Sequence, residues 1–171
     1  MSRPITFLLL FAVVAMIGVG CSSAVTQPQK QSFMSLLRSL PSRGEFYTAE
    51  SVGRTAPFVP VLFSLTNDIA EGDLFQLAAL SRGLCDRADV RKYATSHFSD
   101  IAHPTLRMFW AAAFVADYQA SADMNAYLAR MIESPEGLAL LQELAGPRAR
   151  LIIDRVTQAP QKETGRTIES R

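Results

Sequence analysis

Residues 90–101 read VRKYATSHFSDI. Val90, Tyr93, Ala94, His97, Phe98 and Ile101 fall at i, i+3, i+4, i+7, i+8 and i+11. At 3.6 residues per turn these side chains share one face, and Arg91, Lys92, Thr95, Ser96 and Ser99 take the other. A half-buried strand would alternate at every second residue, and this stretch does not. The spacing therefore predicts one continuous amphipathic helix over 90–101. The same period runs outward on both sides. Upstream, Leu74, Leu77, Ala78, Leu80, Leu84 and Cys85 outline a helix that Asp73 is placed to cap. Asp86-Arg87-Ala88-Asp89 reads as the turn between the two helices. Downstream, Pro104 suits the first turn of a helix reaching Tyr118. Residues 106–117 of it, LRMFWAAAFVAD, are apolar around the whole axis, so this helix must be covered on most sides. Ser121 is placed to cap a helix striped by Met124, Tyr127, Leu128, Met131 and Ile132. Ser134-Pro135-Glu136 opens another, through Ala145, which Gly146-Pro147 stops. Leu151, Ile152, Ile153 and Val156 mark a last helix.

Nearer the amino terminus, Phe33, Leu36, Leu37 and Leu40 make a short amphipathic helix ended by Pro41. Pro41-Ser42-Arg43-Gly44 reads as a loop. Thr48 is positioned to cap a helix through Val52 that must end or kink near Pro57 and Pro60. Residues 60–65, PVLFSL, restart the helix. A buried strand is the alternative there, although no second strand is in sight to pair with it.

Shifted by 31 residues, the chain meets its own pattern. Leu77 falls on Met108, Leu84 on Val115, Asp86 on Asp117, Ile101 on Ile132 and His103-Pro104 on Ser134-Pro135. Helix pairs at a fixed period are the mark of an α-solenoid. Residues 70–158 thereby resemble compact HEAT-like repeats. The resemblance implies an all-α fold, a right-handed stack of antiparallel helix pairs. An irregular helical bundle with even loops carries the same periodicity and stays open beside it.

The amino-terminal 20 residues have a different character. Met1-Ser2-Arg3 is followed by ITFLLLFAVVAMIGVG, 16 uncharged residues from Ile5 to Gly20. A short positive segment before an apolar run reads as a secretory leader. The run is slightly short for a spanning helix, which needs about 17–25 residues. A buried core helix is the plainer alternative, but a run without a polar face suits a translocon better. Ile17-Gly18-Val19-Gly20-Cys21 resembles the lipobox of bacterial lipoproteins, with Gly18 where that family usually carries Leu. The resemblance implies cleavage before Cys21, a diacylglycerol on its thiol and an acylated new terminus. Ser22 stands where Asp usually marks inner-membrane retention in Gram-negative cells, which implies sorting to the outer membrane, on its periplasmic side. The expected organisation is a signal peptide over 1–20, a lipidated tether over 21–31, an all-helical domain over 32–158 and a disordered tail over 159–171.

Composition narrows the function. The 171 residues are 49% hydrophobic and 19% charged, which suits one compact domain. Two cysteines are too few for a disulfide scaffold, and a net charge of +1 gives no basic field for nucleic acid. Loss of residues 1–20 removes one charged side chain, Arg3, and leaves 16 Lys+Arg against 16 Asp+Glu. Membrane attachment of a neutral chain then comes from lipid at Cys21 rather than from a basic patch. No G-x-S-x-G, H-E-x-x-H, P-loop or G-x-G-x-x-G occurs, so no catalytic, metal or cofactor residue is assigned. His97, Asp100 and His103, at i, i+3 and i+6, offer zinc-type ligands. They diverge around a continuous helix, so His97 is expected at the core edge and His103 at a helix boundary. Cys85 is expected as a buried, inert thiol. Arg82, Arg87, Arg91 and Lys92 are expected on a solvated face with Asp86 and Asp89, and Phe109, Trp110 and Phe114 in the core rather than in a ligand cage. The expected function is non-catalytic: a lipid-anchored scaffold or assembly factor that binds another envelope protein. The alternative is a small envelope enzyme or metal- or ligand-binding protein using the His97/Asp100/His103 region.

Overall fold

The computed structural model describes residues 25–40, 42–43, 46–66 and 69–158. The signal-peptide stretch, Cys21 and the tail over 159–171 lie outside the described residues. Nine α-helices occur among the described residues: α1 (Gln27–Ser39), α2 (Ala49–Thr55), α3 (Val59–Phe63), α4 (Glu71–Cys85), α5 (Ala88–Ser96), α6 (Pro104–Asp117), α7 (Ala122–Ile132), α8 (Pro135–Ala145) and α9 (Ala149–Gln158). The fold is all-α, as expected. One small exception lies where a loop is predicted: β1 (Ser42–Arg43) pairs antiparallel with β2 (Phe46–Tyr47).

Most helix starts follow the predicted caps. Thr48 Oγ1 accepts from the Ser51 amide at 3.2 Å, Ser121 Oγ from Met124 at 3.3 Å and Ser134 Oγ from Gly137 at 3.0 Å. Each bond satisfies one of the amides that a helix start leaves without an intrahelical acceptor. Asp73 is a correction. Helix α4 begins at Glu71, so Asp73 sits within the first turn and receives Arg38 of α1 at 2.6 Å instead of capping. Helix α1 starts ahead of the expected domain edge at 32 and takes in part of the stretch read as tether. Thr26 and Gln29 form a capping box there, and Pro28 falls in the first turn, where its missing N–H has no partner to lose. Residues 59–63 are helical rather than a strand, joined to α2 by a 3-10 turn over Ala56–Phe58.

The stretch 90–101 is not one continuous helix. Helix α5 stops at Ser96, and Phe98–Asp100 form a 3-10 turn. Pro104 bars a helix from running on into α6, since it has no N–H to give the Asp100 carbonyl and holds the preceding His103 in an extended conformation (φ −78°, ψ 122°), and the Ala102 amide donates to Phe63 O of α3 at 2.8 Å instead of within a helix. Arg107 takes over part of the missing bonding, donating to Ile101 O at 2.7 Å and Ser99 O at 2.9 Å. The apolar stripe nevertheless stays inward, because Val90, Ala94, Phe98 and Ile101 are all buried.

Helices α4 and α5, α6 and α7, and α8 and α9 follow one another across links of two, four and three residues. Links that short turn the chain back on itself. Helix α6 is central and touches α4, α7, α8 and α9. From Met108 to Ala112 every residue of it is buried, and Trp110 is fully enclosed. The Trp110 ring meets Phe63 of α3 edge-on at 5.2 Å and stands 6.3 Å from Phe114. Helices α1 and α2 and strand β2 pack against α4. Two arginines close helix ends from a distance. Arg91 donates to Cys85 O at 2.8 Å and Asp86 O at 2.7 Å, and Arg155 of α9 donates to Val115 O at 2.7 Å and to Ala116 O. Both guanidiniums meet carbonyls that a helix end leaves unpaired, at the negative end of the helix dipole.

Candidate functional site

Helix α6 carries Phe109, Ala112, Ala113 and Ala116 on one side, at i, i+3, i+4 and i+7. Three of these four side chains end at Cβ. Helices α4 and α8 flank α6, so the low alanine surface becomes the floor of a trough between them. Two adjoining depressions of about 380 and 360 Å³ make up this trough, and Arg82, Phe109 and Leu144 line both. The α4 wall presents Phe75, Ala78, Ala79 and Arg82, again at i, i+3, i+4 and i+7. Phe75 is 61% exposed, a large apolar side chain left in water at the rim.

Polar contacts close the end of the trough nearest the carboxyl ends of α4 and α6. Tyr118 donates its hydroxyl to Asp86 Oδ1 at 2.6 Å, and Arg148 pairs with Asp117. Burial, followed by the bond to Asp86, pushes the Tyr118 phenol up to about 12. The Arg91 guanidinium lies 4.8 Å from the centre of the Tyr118 ring. Arg82 and Glu143 both line the second depression, and neither has an ion-pair partner among the described residues. The surface can therefore bury apolar side chains in its middle and satisfy one charge of each sign at its edge.

The residues singled out by sequence lie elsewhere or within this frame. Cys85 is 2% exposed at the base of the trough. Burial first, and then the carboxylates of Asp86 and Asp117, push its thiol up, so no thiolate is available as a nucleophile. Arg87 pairs with Asp89 at 2.8 Å on the surface, whereas Arg91 leaves the solvated face expected for it and caps α4. The His97 ring stacks on Tyr93 at 4.0 Å with planes 9° apart, and its Nδ1 stands 3.0 Å from Tyr93 O. Asp100 is exposed in the 3-10 turn. His103 is 8% exposed, and its Nδ1 accepts the Thr105 amide at 3.2 Å as the cap of α6. Burial lowers its pKa. Among the described residues no group of three or more His, Cys, Asp or Glu is placed to hold a metal ion.

Sequence reasoning misses the trough. Phe75 lies off the buried stripe of α4 that Leu77, Leu80 and Leu84 define. The one signal was the cluster of alanines in an otherwise bulky helix, and its meaning depends on which helices flank it. The chain matches no protein-family model, no curated protein and no solved structure.

Proposed function

We propose that this chain is an exported, lipid-anchored cell-envelope protein that acts without chemistry, by docking a protein in the trough between α4 and α8. The observation that carries the docking part is the exposed Phe75 at the rim of an alanine-floored channel. An aromatic side chain kept in water beside a shallow apolar depression fits a surface that is covered when the protein works. The anchor part rests on the lipobox-like segment ending at Cys21. In this reading, attachment rests on acyl chains at Cys21; among the described residues no helix is long and apolar enough to cross a membrane. Where the cell has an outer membrane, its periplasmic face is the proposed location.

Two measurements test the reading. Labelled fatty acid should enter the wild-type protein and not Cys21→Ala, and the mature amino terminus should be Cys21. A photo-reactive phenylalanine analogue replacing Phe75 at the rim of the trough should give a discrete protein adduct in cells. The same residue replacing Arg130, exposed on α7, should give none. Absence of labelling removes the anchor, and absence of a trough-specific adduct removes the docking function.

A further inference from the structure

We propose that the protein docked in the trough is a second copy of this chain, related by a two-fold axis that crosses α4 near Ala78 and Ala79. The inference rests on the trough being a docking surface, as argued above. A two-fold interface must be self-complementary, since each patch meets its own image. The outer face of α4 has that property in its sequence. Phe75, Ala78, Ala79 and Arg82 read large, small, small, large, and the pattern is unchanged when the helix is reversed. In an antiparallel copy centred between the two alanines, Ala78 faces the second copy's Ala79, and Phe75 faces the second copy's Arg82. The alanines let the two helix backbones approach closely. Each guanidinium then lies against a phenyl face, an attractive pairing when water is excluded.

Charge points to the same partner. Glu143 borders the depression that holds Phe75, so the second copy's Arg82, arriving over Phe75, comes beside it. Arg82 and Glu143 have no ion-pair partner among the described residues, and the copy supplies an opposite charge to each. A partner helix of one charge sign would satisfy Arg82 or Glu143 and oppose the other. Phe75, 61% exposed in one copy, is covered in the pair.

The test uses the full chain in detergent, with mass read by sedimentation equilibrium after matching the detergent density. Wild type should sediment at twice the chain mass. Phe75→Glu and Arg82→Glu should each weaken the association by about tenfold or more. Arg82→Glu combined with Glu143→Arg should restore most of the affinity lost in the single variant. Because these three side chains are exposed or line an open surface, circular dichroism should be unchanged. A trough-specific adduct at position 75 of twice the chain mass should form in cells. A monomeric wild type whose position-75 adduct contains a different protein overturns the second-copy inference and leaves the docking function standing. A dimer indifferent to Phe75→Glu overturns it as well, because the contact then lies elsewhere. A monomer without any trough adduct overturns both.

Discussion

Tyr118, in the turn after α6, holds Asp86 at the end of α4 through a 2.6 Å hydrogen bond across 32 residues of chain. The next helix pair repeats the device: Arg148, in the turn after α8, pairs with Asp117 at the end of α6. The two acids, Asp86 and Asp117, stand 31 residues apart, the period seen in the sequence, and the residues that reach back to them, Tyr118 and Arg148, follow at nearly the same interval. Each of these two turns reaches back to the acid at the end of the preceding pair.

Tyr118→Phe removes the first tie and should lower stability by about 0.5–1.5 kcal/mol, the usual net worth of one hydrogen bond. The phenol is raised in the folded state, so its contribution is complete below the unfolded value near 10 and is lost as pH rises through about 12. The difference in urea midpoint between wild type and variant should therefore shrink over that window. A constant difference to pH 12 would show that the hydroxyl does not report the tie.

His103 carries more than a boundary position implies. It is buried, and it caps the central helix. His103→Ala should cost about 0.5–2 kcal/mol, and His103→Asp should recover part of that by capping with a carboxylate. Burial depresses the His103 pKa, so its contribution is present above the unfolded value near 6.5 and is lost as pH falls through the folded value. Chemical denaturation of wild type and His103→Ala between pH 8 and 5 should show the two converging on the acid side.

Trp110→Ala should cost about 3–5 kcal/mol, because the indole is fully enclosed and its removal leaves a cavity beside Phe63 and Phe114. A loss under about 1 kcal/mol would mean that α6 is not covered as described. Ser81→Ala should do the opposite. Ser81 is fully buried and its hydroxyl has no hydrogen-bond partner, so removing it should leave stability unchanged or raise it. Calorimetric unfolding of both variants checks the pair.

Arg155→Met strips two carbonyls at the end of α6 of their donor while keeping much of the side-chain bulk. The expected loss is about 1–3 kcal/mol, the cost of leaving buried polar groups unmade. Lys92→Met, an exposed change on α5, serves as the neutral control, within about 0.5 kcal/mol.

Gly137→Ala should destabilise the α7–α8 corner, although alanine is the better helix former. A Cβ there would run into the backbone oxygen of Met131, which cannot swing aside as a side chain could. The cost should be about 1–3 kcal/mol, as for an overpacked core site, and hydrogen exchange should quicken over residues 131–137.

The helical class and most helix starts were legible because they are local. Thr48, Ser121 and Ser134 reach amides only three residues away, and the stripe 90–101 needs only the geometry of one turn to pick its inward face. Even there, the break after Ser96 is not legible, because the rest of the stretch bonds to partners outside it: Ala102 donates its amide to Phe63 O, and Arg107 donates to Ser99 O and Ile101 O. Asp73 has the chemistry of a cap, but α4 begins two residues earlier, at Glu71, so its carboxylate lies inside the first turn and meets Arg38 of α1.

The candidate site belongs to the opposite limit. The alanine cluster that includes Ala112, Ala113 and Ala116 is visible in the sequence, but nothing local marks it as the floor of a trough, or sets Phe75 apart from a core residue. Their meaning appears only when α4 and α8 settle on the two sides of α6, because a trough is a relation among three helices drawn from residues up to about seventy positions apart. Periodicity, caps and prolines are written in neighbouring residues and determine which segments are helical and which faces turn inward. Which helices become neighbours, which carbonyls Arg91 and Arg155 close, and which apolar face remains uncovered were decided by packing, since burial of α6 selects among arrangements that local preference leaves equal.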